Sequence, residues 1–140
     1  MNNPWLDHPL ARELNAALAA VREAGLLCRE VQAQIDRGAL EKKDRSPVTV
    51  ADFGSQALIC SSLVESLGPV PIIGEENSAA LREAGNEVLL ERVLGHVAAL
   101  RDGITTETVC RWIDLGGAKD YSDKFWTCLL YTSDAADDSV

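Results

Sequence analysis

"VPIIGEENS", residues 70–78, is the stretch on which the fold of this 140-residue chain turns. Val70 to Gly74 is a short apolar run bounded by Pro71 and Gly74, the pattern of a buried strand. It delivers the backbone straight into Glu75 and Glu76. Adjacent carboxylates at the exit of an apolar strand sit where open α/β sheets build ligand sites. The same pair also suits a solvated turn, and residue pattern alone favours the turn.

Upstream, "ADFGSQALICSSLVESL" (51–67) reads as a helix with Phe53, Ala57, Cys60, Val64 and Leu67 on one face. Gly68-Pro69 ends it. Before it, Pro47 biases Ser46 toward an extended conformation, and Val48-Thr49-Val50 is expected as a short strand. Residues Asp7 to Asp36 form one long amphipathic helix by spacing, with Leu10, Leu14, Leu18, Val21, Leu27, Val31 and Ile35 as its stripe. Asp7 is its expected N-cap, Pro9 suits its first turn, and Gly38 marks its stop. Downstream, residues 86–100 read as a helix with Val88, Leu89, Val93, Val97 and Leu100 inward. A shorter helix covers Thr106 to Leu115, capped by Thr105 or Thr106 and ended by Gly116-Gly117. The polar loop "AKDYSDK" (118–124) then leads into Phe125-Trp126-Thr127, the opening of a second buried strand. Neither internal repeats nor low-complexity linkers interrupt this order.

The chain is 46% hydrophobic and 25% charged, the composition of an ordinary soluble domain or part of one. Its net charge of −9 opposes a nucleic-acid surface, which needs a basic stripe, and is compatible with cation binding. "MNNPWLDHPL" lacks the basic and apolar regions of a signal peptide, and no run is long enough for a membrane span. Cys28, Cys60, Cys110 and Cys128 are scattered without a CxxC pair. That spacing points to reduced thiols in a cytoplasmic protein, more plausibly small core residues than zinc ligands or nucleophiles.

Asp52 is the second candidate for chemistry. Thr49-x-x-Asp52 resembles a capping box, which spacing alone favours, while a carboxylate there could also orient or deprotonate a water. His8 lies at a helix start and His96 has no second ligand one turn away, so both read as incidental. There is no phosphate-cradling GxGxxG or Walker pattern.

In combination, "KKDRSPVTVADFGSQA" (42–57), "PIIGEENS" (71–78) and "ETVCRWIDLGG…KFWT" (107–127) resemble the inositol monophosphatase-like superfamily of metal-dependent phosphatases. Within it the likeness is greatest to the 3′(2′),5′-bisphosphate nucleotidases, and it runs in order from the first helix to Thr127. The resemblance implies an α/β layered αβαβα sandwich, of which this chain is an incomplete N-terminal portion, mostly helical with short strands. It implies a Mg²⁺-dependent hydrolase of sulfur metabolism that removes the 3′-phosphate of 3′-phosphoadenosine 5′-phosphate to leave AMP. Carried over by position, Glu75 matches a metal ligand, Glu76 its neighbour at the metal site, and Asp52 the residue that helps activate the attacking water. Lys42, Asp44, Ser46 and Thr49 belong to the surrounding motif. The partner implied is a small nucleotide bisphosphate, with no nucleic acid and no membrane. Inositol monophosphatase, sugar-bisphosphate phosphatase and a non-enzymatic helical interaction domain are the alternatives.

After Thr127 the resemblance stops. The family continues into an Asp-Pro-Ile-Asp-Gly-Thr motif with further metal-ligand aspartates, whereas this chain reads "CLLYTSDAADDSV" (128–140). Back-translated in one frame, Cys128 to Asp138 fits a transposase mosaic end running into a sequencing-library adapter. Residues 1–127 are therefore expected to be the native portion and 128–140 a non-native tail whose aspartates carry no function. The fragment as written is expected to be inactive.

Overall fold

The computed structural model describes residues 3–36, 46–120 and 122–128. Its elements in chain order are α1 (Ala11–Asp36), α2 (Ser46–Leu67), β1 (Ile72–Gly74), α3 (Ala79–Arg82), α4 (Glu87–Ala98), α5 (Thr106–Asp114) and β2 (Trp126–Cys128). The described architecture is thus mostly helical around a small sheet, consistent with the α/β class. The expected stop at Gly38, the motif residues Lys42 and Asp44, and the tail from residue 129 onward lie outside the described residues.

Helix α2 is the axis of the fold. Its residues from Phe53 to Leu58 and from Cys60 to Leu63 are buried, so the helix is enclosed on several sides. One core gathers Leu27 and Val31 of α1, Phe53 and Leu58 of α2, Val93 and Val97 of α4, and Val109 and Ile113 of α5. A second, toward the sheet, joins Ala16 and Ala20 to Cys60, Leu63, Ile72 and Cys128. Where α1 meets α2, the Leu27 side chain packs onto Gly54, on which a Cβ would lie 2.7 Å from Cδ1 of Leu27.

The expected strand at Val48–Val50 is instead the first part of α2. Pro47 is tolerated in a first helical turn, where its missing N–H has no intrahelical partner to lose. β-Branching costs a helix only tenths of a kcal/mol per residue, roughly 0.5. Burial of Val50 at 3% exposure outweighs that.

Helix α1 begins at Ala11 and not beside an Asp7 cap. Pro9 has no N–H to send back to Trp5, so the chain advances through short turns. Leu6 N–H donates to Asn3 O at 3.1 Å, His8 N–H to Trp5 O at 3.2 Å, and Ala11 N–H to His8 O at 2.9 Å. His8 has a local role there, its Nδ1 accepting from Leu10 N–H at 3.1 Å.

The expected apolar stripe of α1 holds only in its second half. Leu27 and Val31 are buried, but Leu10, Leu14, Leu18 and Val21 are exposed. The face that packs is Ala16, Ala20, Ala24, Leu27 and Val31, spaced four, four, three and four. Val21 and Leu27 are six residues apart, which breaks the helical period and moves the leucines off that face. On α4, Val88 likewise points outward while Val93 and Val97 are buried.

Strand β1 pairs in parallel with β2, Ile72 opposite Trp126, Ile73 opposite Thr127 and Gly74 opposite Cys128. Its other edge is met by the segment after α5, with Gly74 N–H donating to Gly116 O at 2.7 Å and Ala118 N–H to Ile72 O at 3.1 Å. Cys128, placed by sequence in the tail, is buried here as the last residue of β2. The helix α5 is capped as expected at Thr105, whose Oγ1 accepts from Thr108 N–H at 3.2 Å while Thr108 Oγ1 accepts from Thr105 N–H at 3.3 Å. The single turn α3 is not apparent in the sequence pattern.

Candidate functional site

Glu75 and Glu76 follow β1 directly, Glu75 exposed and Glu76 half-buried. Asp52 is half-buried on α2 and lies inside that helix, well past its start at Ser46, so it is no N-terminal cap. The structure brings the three carboxylates into one electrostatic neighbourhood. Burial, and then the charge of Glu75, push the Asp52 carboxyl above its usual range. Burial, then Asp52, then Glu75, do the same to Glu76.

A residue with no role in the sequence reading explains this assembly. Gln56 lies four positions after Asp52, hence on the same face of α2. It is fully buried. Its Nε2 donates to Glu76 O at 2.7 Å and to Ile113 O at 2.8 Å, and its Oε1 accepts from Glu76 N–H at 3.0 Å. A buried amide left unbonded would cost several kcal/mol, roughly 2–7, so complete pairing is what makes the position tolerable. Gly74 and Gly116 make room for it. A Cβ on Gly74 would sit 2.6 Å from Gln56 Oε1, and one on Gly116 would sit 2.7 Å from Nε2. These two glycines are required by close approach, since neither adopts positive φ.

The turn after the glutamates is held from the other side. Asp114, near the end of α5, accepts from Ser78 N–H at 2.8 Å and from Ser78 Oγ at 2.6 Å. Arg82 Nε donates to Ser78 Oγ at 3.1 Å, and its two terminal nitrogens donate to Glu107 at 3.0 Å each. Charge-assisted bonds of this kind fix geometry more firmly than neutral ones. The one signal for Gln56 in the sequence is a polar side chain inside an otherwise buried helix; for Asp114 it is a carboxylate just before Gly116-Gly117.

His96 is half-buried on α4, and burial pushes its pKa down. Neither it nor His8 joins the carboxylates in a metal-ligand set: among the described residues no group of three or more His, Cys, Asp or Glu is arranged to hold an ion. Carboxylate oxygens are nonetheless the donors a hard divalent cation takes. Asp52, Glu75 and Glu76 therefore fit Mg²⁺ in chemical kind while leaving the ligand set incomplete. No helix among the described residues is long and apolar enough to cross a membrane.

No family model matches the chain. Individual proteins do. A Schizosaccharomyces pombe 3′(2′),5′-bisphosphate nucleotidase is 46% identical over 76 residues, 51% of this chain and 22% of the yeast protein. An Arabidopsis thaliana 3′(2′),5′-bisphosphate nucleotidase 1 is 39% identical over 99 residues, 69% of this chain and 27% of its own length. The Candida albicans protein of that name is 34% identical over 135 residues, 85% of this chain and 36% of its own. The chain thus spans between about a fifth and a third of these proteins' lengths. It is a relative, over part of their length, of the 3′(2′),5′-bisphosphate nucleotidases.

Proposed function

We propose that this chain is part of a Mg²⁺-dependent phosphomonoesterase that hydrolyses the 3′-phosphate of 3′-phosphoadenosine 5′-phosphate to AMP and phosphate. The observation that carries the reading is the 34–46% identity to nucleotidases of two fungi and a plant. Supporting it, besides burial, Glu75 raises the pKa of Asp52, and Asp52 with Glu75 raises that of Glu76, although Asp52 lies far from the pair in sequence. The complete protein would be an αβαβα sandwich acting in the cytoplasm in sulfur metabolism, with further ligands and the nucleotide pocket beyond Thr127. By itself this fragment would be inactive.

Glu75 and Glu76 would hold the cation through their carboxylate oxygens, Glu75 from the exposed side and Glu76 from the backbone anchored by Gln56. Bound there, Mg²⁺ supplies Lewis-acid neutralisation of the phosphoryl oxygens and a more acidic attacking water. Asp52 would orient the attacking water and accept its proton, a task helped by a carboxyl pKa raised through burial. The water oxygen would bond to phosphorus as the bond from phosphorus to the 3′ oxygen breaks, and the departing 3′ oxygen would take a proton from solvent to leave as the hydroxyl.

The test is phosphate release from 3′-phosphoadenosine 5′-phosphate by the full-length gene product with and without Mg²⁺, beside inositol monophosphate and a sugar bisphosphate. Mg²⁺-dependent release from the nucleotide in preference to the others is expected. Asp52→Asn should lower kcat by about 10²–10⁴-fold. Absence of Mg²⁺-dependent release from the nucleotide would defeat the assignment.

A further inference from the structure

We infer that Gln56 is the positioning residue of the carboxylate site, a side-chain strut that sets the Glu75-Glu76 turn against Asp52. The inference rests on the reading of these three carboxylates as cation and water ligands.

The geometry is that of a strand partner imitated by a side chain. A neighbouring strand would donate to a carbonyl of Glu76 and accept from its N–H; the Gln56 amide does both, at 2.7 and 3.0 Å. Its remaining hydrogen goes to Ile113 O at 2.8 Å, so the same group also ties α5 to the turn. Both N–H hydrogens and the oxygen are engaged, leaving no alternative direction for the amide at comparable energy. Because Asp52 and Gln56 are one helical turn apart on α2, clamping Glu76 to Gln56 places the glutamates beside Asp52. Packing alone does not require an amide there. Methionine is similar in length and would bury as well, but it offers no donor to the two carbonyls and no good acceptor for Glu76 N–H. The glycines on either side, whose Cβ atoms would strike Oε1 and Nε2, shape the space around the amide group itself.

Two readouts on the full-length gene product test this, with Gln56→Met as the first variant. Hydrogen exchange at the Glu76 amide reports the clamp without any metal. It should accelerate at least about tenfold in Gln56→Met while amides of α4 keep their protection. Paramagnetic broadening by Mn²⁺, followed in amide correlation spectra, reports the carboxylates. Wild type should broaden at residues 52, 75 and 76 together, and Gln56→Met should need about 10- to 100-fold more Mn²⁺ for the same effect. Should Gln56→Met fail to fold, Gly116→Ala keeps the amide but displaces it and is read the same way. A folded variant with unchanged Glu76 exchange and unchanged Mn²⁺ response overturns the positioning role. Wild type with a protected Glu76 amide but no Mn²⁺ broadening at these residues defeats the carboxylate reading. The positioning role for cation binding then falls with it, and the exchange result shows the strut to be structural only.

Discussion

Replacing Arg101 by methionine should be among the most damaging changes available on the surface of this chain. Arg101 follows α4, and its guanidinium joins three other helices. Its Nε and Nη2 donate to Glu23 of α1, the latter at 3.0 Å, and its Nη1 donates to Glu65 of α2 at 2.9 and 3.0 Å. Its Cζ lies 5.8 Å from the Trp112 ring of α5. The two ion pairs differ in weight because they differ in exposure. Arg101 and Glu23 are each 22% exposed, whereas Glu65 is 56% exposed. A partly buried, bidentate, charge-assisted pair contributes about 1.5–3 kcal/mol, and its loss leaves Glu23 partly desolvated. The Glu65 pair adds only about 0.2–1 kcal/mol and the ring contact about 0.5–1. These terms share one side chain and do not add fully, so the expected loss is about 2–4 kcal/mol. With a urea slope of about 2 kcal/mol per molar, the unfolding midpoint followed by circular dichroism should fall by about 1–2 M. Glu65→Gln alone should cost less than about 1 kcal/mol. An Arg101→Met midpoint within about 0.25 M of wild type, or a Glu65→Gln loss equal to that of Arg101→Met, would refute the ranking by burial.

Leu27→Ala should destabilise the chain by about 2–5 kcal/mol in the same assay, and Leu18→Ala by less than about 0.5, although both leucines belong to the stripe read from the sequence. Equal losses would show that the α1 face is wrongly placed. Thr105→Ala removes one half of a reciprocal cap and should cost about 0.5–2 kcal/mol; no change in the thermal midpoint would mean that α5 does not depend on it. The pH dependence has a definite sign. Asp52 and Glu76 have folded-state pKa values above their ordinary 3.8 and 4.5, so the folded chain holds more protons than the unfolded one as pH rises past those values. Their contribution to stability is therefore lost as pH climbs through the raised folded-state values. Asp52→Asn should melt higher than wild type at pH 7, with the gap closing near pH 3.5; a variant that melts lower at pH 7 would contradict a carboxylate destabilised by burial and by the charge of Glu75.

Several elements were legible because their causes are local. Gly68-Pro69 stops α2, Thr105 caps α5, and the apolar run at Ile72–Gly74 forms a strand that opens directly into the glutamates. Where local preference was weak, burial decided. Val48 to Val50 read as strand by β-branching and joined a helix, where burial of Val50 outweighs that preference. Asp7 read as a cap and was bypassed because Pro9 interrupts the hydrogen bonds that would follow it.

What the sequence by itself determined is the identity of the carboxylates and the order of the elements that carry them. The motifs around Asp52 and Glu75-Glu76 are local strings whose likeness to the nucleotidases can be read without coordinates. Only the tertiary structure decided that the first half of α1 packs through Ala16, Ala20 and Ala24 while Leu14 and Leu18 face outward. Closeness of approach selects small side chains, and hydrophobicity alone does not reveal which of two stripes meets a neighbour. Only the structure, likewise, gave Gln56 its place. Its partners Glu76 and Ile113 are 20 and 57 residues away, and a buried amide acquires meaning from what it bonds, which the fold alone supplies.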